Sequence, residues 1–418
     1  MNLTKYKIGD VCEIVSKSHT PIAGHTYNLY SLPSFDNNKN CEIIDGKYIE
    51  SSKYVVPKKC ILFNKLNVRF RRVWCIDHIN GDNLCSTEFL PLVIDESKVD
   101  YQYFHYLLVS DSITEYLCGQ NTNTSGSYKR IDPHNLLDID IAVPDLLTQQ
   151  KIGHLLSTLD RQISLLRSTN ATLEAIAKQL YDYWFVQFDF PDANGKPYKS
   201  SGGEMVWNER LKREIPKGWK VVSVNEIASN VRGVAYTKDD LVDSNSGVLV
   251  LRGNNIQDNR LIYDSNVAYI PESLVSREQH IQPLDIIMTM SSGSKEHVGK
   301  CAMFQLKSEE TFGAFLTKFT AKPHFAYLLF NFFNSQYFKS KIKTIACGTG
   351  INNLTNQTFD DIYMIVPEDN ILLKFDMIQS KIFSEIGIMD KNSINLTQYR
   401  DTLLPLLMNG QATVGEEA

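Results

Sequence analysis

Seven cations fall in an acid-free window from Ser51 to Ile76: Lys53, Lys58, Lys59, Lys65, Arg69, Arg71 and Arg72. Tyr54, Phe63, Phe70 and Trp74 are interleaved with them. Guanidinium groups bind phosphate oxygens and guanine edges, and aromatic faces stack on bases, so this pattern suits nucleic acid. Read as a strand, the window presents alternating arginines; an edge strand using charge to resist self-association would have the same composition. A second stretch, Ser291-Ser292-Gly293-Ser294-Lys295, follows a strand-like run. Its short hydroxyls, backbone N–H groups and one lysine suit a phosphate or a base edge, and a plain polar turn fits equally. Lys339, Lys341 and Lys343 close a helix-like run, and Lys129, Arg130, Arg252 and Asn254 complete the candidate DNA contacts.

Signatures of catalysis are missing. The chain has no G-x-G-x-x-G or P-loop ahead of a helix, no H-E-x-x-H and no G-x-S-x-G. Asp132-Pro133-His134-Asn135 shares its first two residues with the D-P-P-Y loop of amino-methyltransferases, without the aromatic that would stack on a flipped base. Cys75-x-x-His78 with Cys85 lacks a fourth metal ligand at usable spacing. No catalytic residue, cofactor or metal is therefore expected.

Bulk properties are those of an ordinary soluble protein and weigh weakly against nucleic acid without excluding it. The 418 residues are 43% hydrophobic and 22% charged, with a formal net charge of −5. Residues 1–144 carry 15 Lys+Arg against 17 Asp+Glu, and residues 216–367 carry 15 against 14, so any DNA footprint must come from local clustering. No run of about 18 apolar residues exists to span a membrane. The first residues lack a secretory apolar segment. The eight cysteines, with no C-x-x-C pair, suit free thiols in the cytoplasm.

Positioning these residues requires two similar heads. Segment 1–144 predicts strands at Val55-Val56, Cys60–Phe63 and Val73–Ile76, and a helix over Asp100–Leu117. Segment 216–367 predicts strands at Val248–Arg252, Asp285–Met290 and Lys300–Phe304, and a helix over Phe325–Thr344. Each closes on a matching strand, Ile139–Val143 and Ile362–Val366, stopped by Pro144 and Pro367. Both heads read as mixed α/β.

Behind each head runs an apolar stripe of helix length. Ile152, Leu156, Leu159, Ile163, Leu166, Asn170, Leu173, Ala177, Leu180 and Trp184 alternate at spacings of four and three. Phe375, Gln379, Ile382, Ile386, Met389, Ser393, Leu396, Arg400, Leu403 and Leu407 repeat them at an offset of 223 residues, the offset that also carries Pro144 onto Pro367. A 3.5-residue period held over four heptads is a coiled-coil seam. The first helix leads almost directly into the second head, so a second helix running back alongside makes the pair antiparallel, roughly 48 Å long at about 1.5 Å per residue. Each stripe packing only on its own head is the simpler arrangement, but four heptads exceed what one small head covers. Polar seam positions Asn170, Ser393 and Arg400 fix register; Arg400 points outward instead if the helix bends at Pro405. The expected organisation is head one over 1–144, helix one over 145–188, a Pro/Gly/Ser-rich linker over 189–215, head two over 216–367, helix two over 368–410 and a tail over 411–418.

Several strings resemble the specificity (S) subunit of type I restriction–modification systems. They are Gln149-Gln150-Lys151-Ile152-Gly153, Leu156-Ser157-Thr158-Leu159-Asp160, Tyr183-Trp184-Phe185-Val186-Gln187-Phe188-Asp189, Ile215-Pro216-Lys217-Gly218-Trp219, Leu251-Arg252-Gly253-Asn254-Asn255-Ile256 and Leu403-Leu404-Pro405-Leu406-Leu407-Met408-Asn409-Gly410. The second helix departs from the pattern, with Asp369-Asn370-Ile371-Leu372 in place of the pair seen in the first as Gln149-Gln150. The resemblance implies a non-catalytic reader of double-stranded DNA. Each head would be a target-recognition domain for half of a split site, and the helices an antiparallel coiled coil that sets the spacer. Two methyltransferase subunits and motor-nuclease subunits would be its partners, in a complex that methylates adenine N6 and cleaves DNA with ATP. From the residues alone, a nuclease or methyltransferase fused to its own recognition domains, and a coiled-coil scaffold without nucleic acid, remain alternatives.

Overall fold

The computed structural model describes residues 3–37, 39–77, 80–119, 129–257, 259–262, 267–293, 296–305, 308–345 and 352–415. His78 and the candidates Ser294 and Lys295 lie outside them. The chain divides into two compact units, Met1–Leu166 with Asn392–Ala418, and Arg167–Lys391.

In the first unit the opening strand Thr4–Lys7 pairs antiparallel with the closing strand Asp140–Val143, Thr4 opposite Val143. A one-turn helix follows, α1 (Ile8–Val11), tied by Lys7 N–H donating to Asp10 Oδ2 at 2.7 Å. A four-stranded sheet has the order Cys12–Ile14, Phe89–Ile94, Cys60–Asn64, Val73–Ile76. A five-stranded sheet carries Lys53–Val55 and a parallel pair, Thr26–Tyr30 with Asn83–Cys85. Helix α2 (Leu32–Asp36) is capped by Ser31. The single helix expected over Asp100–Leu117 is two, α3 (Tyr101–Leu108) and α4 (Asp111–Gly119). The Ser110 hydroxyl donates to Leu107 O at 2.7 Å, satisfying a carbonyl at the break. Asp132-Pro133 starts a further one-turn helix, α5 (Pro133–Leu137), with Asp132 Oδ1 accepting from His134 N–H at 2.9 Å.

The second unit repeats this plan. Lys220–Ser223 pairs with Tyr363–Val366, and α7 (Val224–Ile227) is tied by Ser223 N–H donating to Glu226 Oε1 at 2.7 Å. Its four-stranded sheet has the order Ala228–Arg232, Leu316–Ala321, Ile286–Thr289, Cys301–Met303. Val248–Leu251 again has a parallel neighbour, Thr311–Phe312. The expected helix over Phe325–Thr344 is likewise split, into α8 (Ala326–Asn334) and α9 (Gln336–Ile345), where Ser335 Oγ donates to Phe332 O at 2.6 Å.

The stripes lie on long helices, α6 (Leu146–Tyr181) and α10 (Asp369–Met408), except that Trp184 falls in the π-helical turn Asp182–Val186 just beyond α6; Pro405 does not end α10. Ile152, Leu156, Ile163, Asn170, Phe375 and Ile386 are buried, while Leu159, Leu166, Leu173, Leu180, Ile382, Met389, Leu396 and Leu403 are half-buried. Neither simple arrangement holds alone, because each stripe serves a head and the other helix together. In the first unit Ile152 and Leu156 share a core with Val99, Tyr103 and Phe104 of the head and with Leu403 and Leu407 of α10. In the second, Leu173, Ala177 and Leu180 share one with Phe330, Phe375, Ile382 and Ile386. There Asn170 Nδ2 donates to Ile386 O (3.3 Å) and Asp390 Oδ1 (2.6 Å), and Gln379 Nε2 donates to Ala177 O (2.9 Å). Partner numbers fall as the α6 number rises, so the two helices run in opposite directions. Arg400 stays at the seam: its Nη1 meets Asp160 Oδ1 at 2.7 Å, and Asp160 Oδ2 accepts from Tyr106 OH at 2.6 Å.

The motif opening α6 docks it on the first head. Buried Gln149 accepts from Asp100 N–H (2.8 Å) and donates to Pro144 O (2.8 Å). A Cβ at Gly153 would stand 2.7 Å from Tyr103 N and 2.8 Å from the Asp100 carboxylate, so only glycine permits the approach. At the matching places α10 has buried Leu372 and Asp376, whose carboxylate meets His324 Nδ1 at 2.8 Å. α8, unlike the Asp100-capped α3, has no side-chain cap at its start.

The segment 189–215, expected as a linker, is folded. Met205–Asn208 pairs with Arg213–Pro216, and buried Phe190 stacks on Trp219 with centroids 4.7 Å apart. Elsewhere in this unit, Asp285 leads into the strand Ile286–Thr289. Its carboxylate is buried against Lys318 Nζ at 3.1 Å and accepts from Gln282 N–H (2.7 Å) and the Thr320 hydroxyl. Asp285→Ala strands a buried ammonium and is expected to lower the unfolding free energy by about 3–5 kcal/mol, whereas adding Lys318→Met restores most of it; urea denaturation of both variants measures this.

Candidate nucleic-acid interface

Part of each sequence-predicted DNA stretch, residues 65–72 of the first and 291–293 of the second, falls at one topological place. In each four-stranded sheet it is the connection from the third strand to the fourth, residues 65–72 in the first head and, among the described residues, 290–293 and 296–300 in the second. Two further backbones tie each turn down. Lys65 N–H donates to Glu88 O and Met290 N–H to Phe315 O, each at 2.9 Å, just ahead of the equivalent strands Phe89–Ile94 and Leu316–Ala321. Leu66 bridges Arg130, as Ser291 and Ser292 pair with Asn353 and Asn352.

The first head's turn is not the alternating strand expected from its arginines. Val68–Phe70 is a single 3-10 turn between two left-handed residues, Asn67 (φ 51°) and Arg71 (φ 47°). Non-glycine residues in this conformation cost free energy, and tertiary contacts must hold them there. Arg71 pairs with Asp111 at the start of α4 and donates to Val109 O. Arg72 is held by Asp36 through two hydrogen bonds of 2.7 Å, with 17% of its side chain exposed. Phe70 stands 52% exposed, with the Arg69 guanidinium 4.8 Å and the Arg72 guanidinium 4.9 Å from its ring centroid. Lys129 and Arg130 join this surface: Lys129 N–H donates to Asn67 Oδ1 at 3.2 Å, and Arg130 binds Glu88 through contacts of 2.7–3.1 Å. Those bonds hold the Glu88 carboxyl below the usual carboxylate range. Among the described residues, no carboxylate lies within ion-pair distance of Lys65, Arg69 or Lys129.

The remaining cations of the window lie elsewhere. Lys58 and Lys59 precede the strand Cys60–Asn64, at its opposite end from Lys65. Lys59 pairs with Glu96 at 2.7 Å and covers the Tyr101 ring; Lys53, on the five-stranded sheet, donates to Ser51. Cys75 and Cys85 carry thiols that burial pushes up to about 12, and no metal-holding cluster occurs among the described residues.

In the second head Ser291 and Ser292 are half-buried on a short strand, and α9 packs beside their turn. Lys343 Nζ meets Glu296 of that turn at 3.2 Å. At about 100° per residue Lys339 shares the Lys343 face, while Lys341 points away. Arg252 and Asn254 belong to a 3-10 turn, Gly253–Asn255, closed by Arg252 N–H donating to buried Asn255 Oδ1 at 2.9 Å. Gly253 neighbours Thr289, two residues before Ser291.

Two residues escaped the sequence reading. Phe315 is 66% exposed beside Ser291, and Arg232 Nε donates to Ala314 O at 2.9 Å next to it. Phe312-Gly313-Ala314-Phe315 holds two phenylalanines, and nothing local says that Phe312 is buried and Phe315 is not. The one signal is Gly233, where a Cβ would stand 2.2 Å from Gly313 O, so Arg232 is drawn against this loop. Phe315→Ala is expected to leave unfolding free energy within about 0.5 kcal/mol of wild type, since it removes an exposed side chain, yet to weaken duplex binding; denaturation and a fluorescence-anisotropy titration report the two effects.

Comparison with known proteins places these heads. The family described as type I restriction modification DNA specificity domain matches residues 2–175 and 216–403. Among curated relatives, the type I restriction enzyme StySPI specificity subunit of Salmonella potsdam is 30% identical over 212 residues. The EcoKI specificity subunit of Escherichia coli (strain K12) is 31% identical over 208 residues. Each match covers 48% of this chain and 44% of the relative, so the chain aligns with less than half of either protein. The HindI specificity subunit of Haemophilus influenzae is 24% identical, over 97% of this chain and 99% of that one. A crystal structure of a type I restriction-modification S subunit from M. genitalium shares the fold, with a TM-score of 0.57 at 15% identity over 97% of this chain and 96% of that one.

Proposed function

The chain belongs to the type I restriction modification DNA specificity domain family, and on that premise we propose that it is the DNA sequence-specificity subunit of a type I restriction–modification enzyme, without a catalytic centre of its own. Residues 1–144 and 216–367 act as target-recognition domains, each reading one half of a bipartite site in double-stranded DNA. Helices 145–188 and 368–410 pair as an antiparallel coiled coil that sets the number of unread base pairs and docks two methyltransferase subunits. Motor-nuclease subunits complete the restriction complex. Adenine-N6 methylation and ATP-dependent cleavage belong to those partners, so the chain itself needs no cofactor and works in the cytoplasm.

One observation carries this reading. The same turn of the same sheet, secured in each head by two neighbouring backbones, carries cations and an exposed Phe70 in one head and hydroxyls in the other, where the exposed Phe315 stands on the adjoining segment. Two readers of common construction and different surface chemistry are what a split, asymmetric site requires. Selection from a random duplex pool, with sequencing, is expected to return two short motifs at a fixed separation; a contiguous motif or none refutes the reading. Deleting one heptad from each helix, residues 160–166 and 383–389, is expected to shorten that separation while both half-motifs persist. An unchanged separation shows that the helices are not the ruler.

A further inference from the structure

The three arginines of the first head's turn do different work. Arg71 and Arg72 are committed within the protein, to Asp111 with Val109 O and to Asp36 respectively. They brace a turn whose two flanking residues both sit in the left-handed region. Arg69 is exposed, and its guanidinium lies over the Phe70 ring, as does that of Arg72. A guanidinium resting on an aromatic face keeps all its N–H groups in the ring-parallel plane, free to donate outward, and gives up little side-chain entropy on binding. Its planar fork matches two acceptors side by side, which in the major groove are O6 and N7 of guanine.

We propose that Arg69 is the base-reading group of the first head, that the base it reads is guanine, and that Arg71 and Arg72 only hold the turn. This rests on the DNA-reading function proposed above. Phosphate is the competing target for the same group, and the test separates the two.

The full-length chain and its Arg69→Ala and Arg69→Gln variants are each carried through selection from one random duplex pool at fixed salt. Wild type is expected to return a guanine at one position of one half-motif. Arg69→Ala is expected to lose preference at that position alone, with affinity for the wild-type site falling between about fivefold and about 150-fold, the range for one bidentate base contact. Arg69→Gln is expected to move the preference toward adenine, whose N6 and N7 suit an amide. Affinity falling equally for all sequences assigns Arg69 to phosphate and overturns the proposal, as does an unchanged motif or a half-motif pair without guanine. If wild type returns no bipartite motif, the DNA-reading function fails and this proposal with it. Far-ultraviolet circular dichroism of the variants, expected unchanged for an exposed residue, shows that the turn has not unfolded.

Discussion

A helix of 36 residues with one apolar row must keep that row out of water, and a small head covers only part of it. The long helices meet this constraint by sharing. Ile152 and Leu156 form a wall of the first head's core and are also covered by Leu403 and Leu407. Leu173 and Ala177 stand in the same relation to Phe375 and Ile386. Burial of the apolar rows supplies the stability, and buried amides supply the register. Asn170 and Gln379 each donate to a carbonyl of the opposite helix. A slipped register would leave them unsatisfied, at about 1–3 kcal/mol each.

Copies of one plan solve the same local problems with different side chains. The first strand of each head runs into a one-turn helix braced by a carboxylate, Asp10 or Glu226. The aromatic helix of each head is broken by a serine hydroxyl, Ser110 or Ser335. Docking of the long helix differs. Gln149 and Gly153 fit an aspartate-capped helix, and the second copy substitutes Leu372 and an Asp376–His324 contact. Backbone requirements persist, while the means of meeting them drift.

The turns that lead to the fourth strands differ in residue type between the two heads. A rigid frame of three backbone segments is common to both heads, so the turn can change composition without moving the sheet. Strain is concentrated there in the first head, at Asn67 and Arg71, and is held by ion pairs to elements distant in sequence. Such a turn arrives at its ligand already shaped, which reduces the ordering cost of binding.

Periodicity and punctuation, both local properties, made much of this legible in the sequence. The duplication, the two stripes, the strands at Cys60–Asn64, Val73–Ile76 and Ile286–Thr289, and the closing strands before Pro144 and Pro367 depend on neighbours a few residues away. Other features depend on what the fold brings alongside. Seven cations in a row looked like one patch, but Asp36, Asp111 and Glu96 arrive from far along the chain to occupy Arg72, Arg71 and Lys59. The same holds for the folded segment at 189–215, closed by Trp219, and for the contrast between buried Phe312 and exposed Phe315. Sequence by itself determined which segments repeat and where each helix presents its apolar row, because chain geometry sets those periods. Tertiary structure alone decided which charges stay free to meet a ligand, because a charge is neutralised by whatever lies within a few ångströms in space, at any separation along the chain.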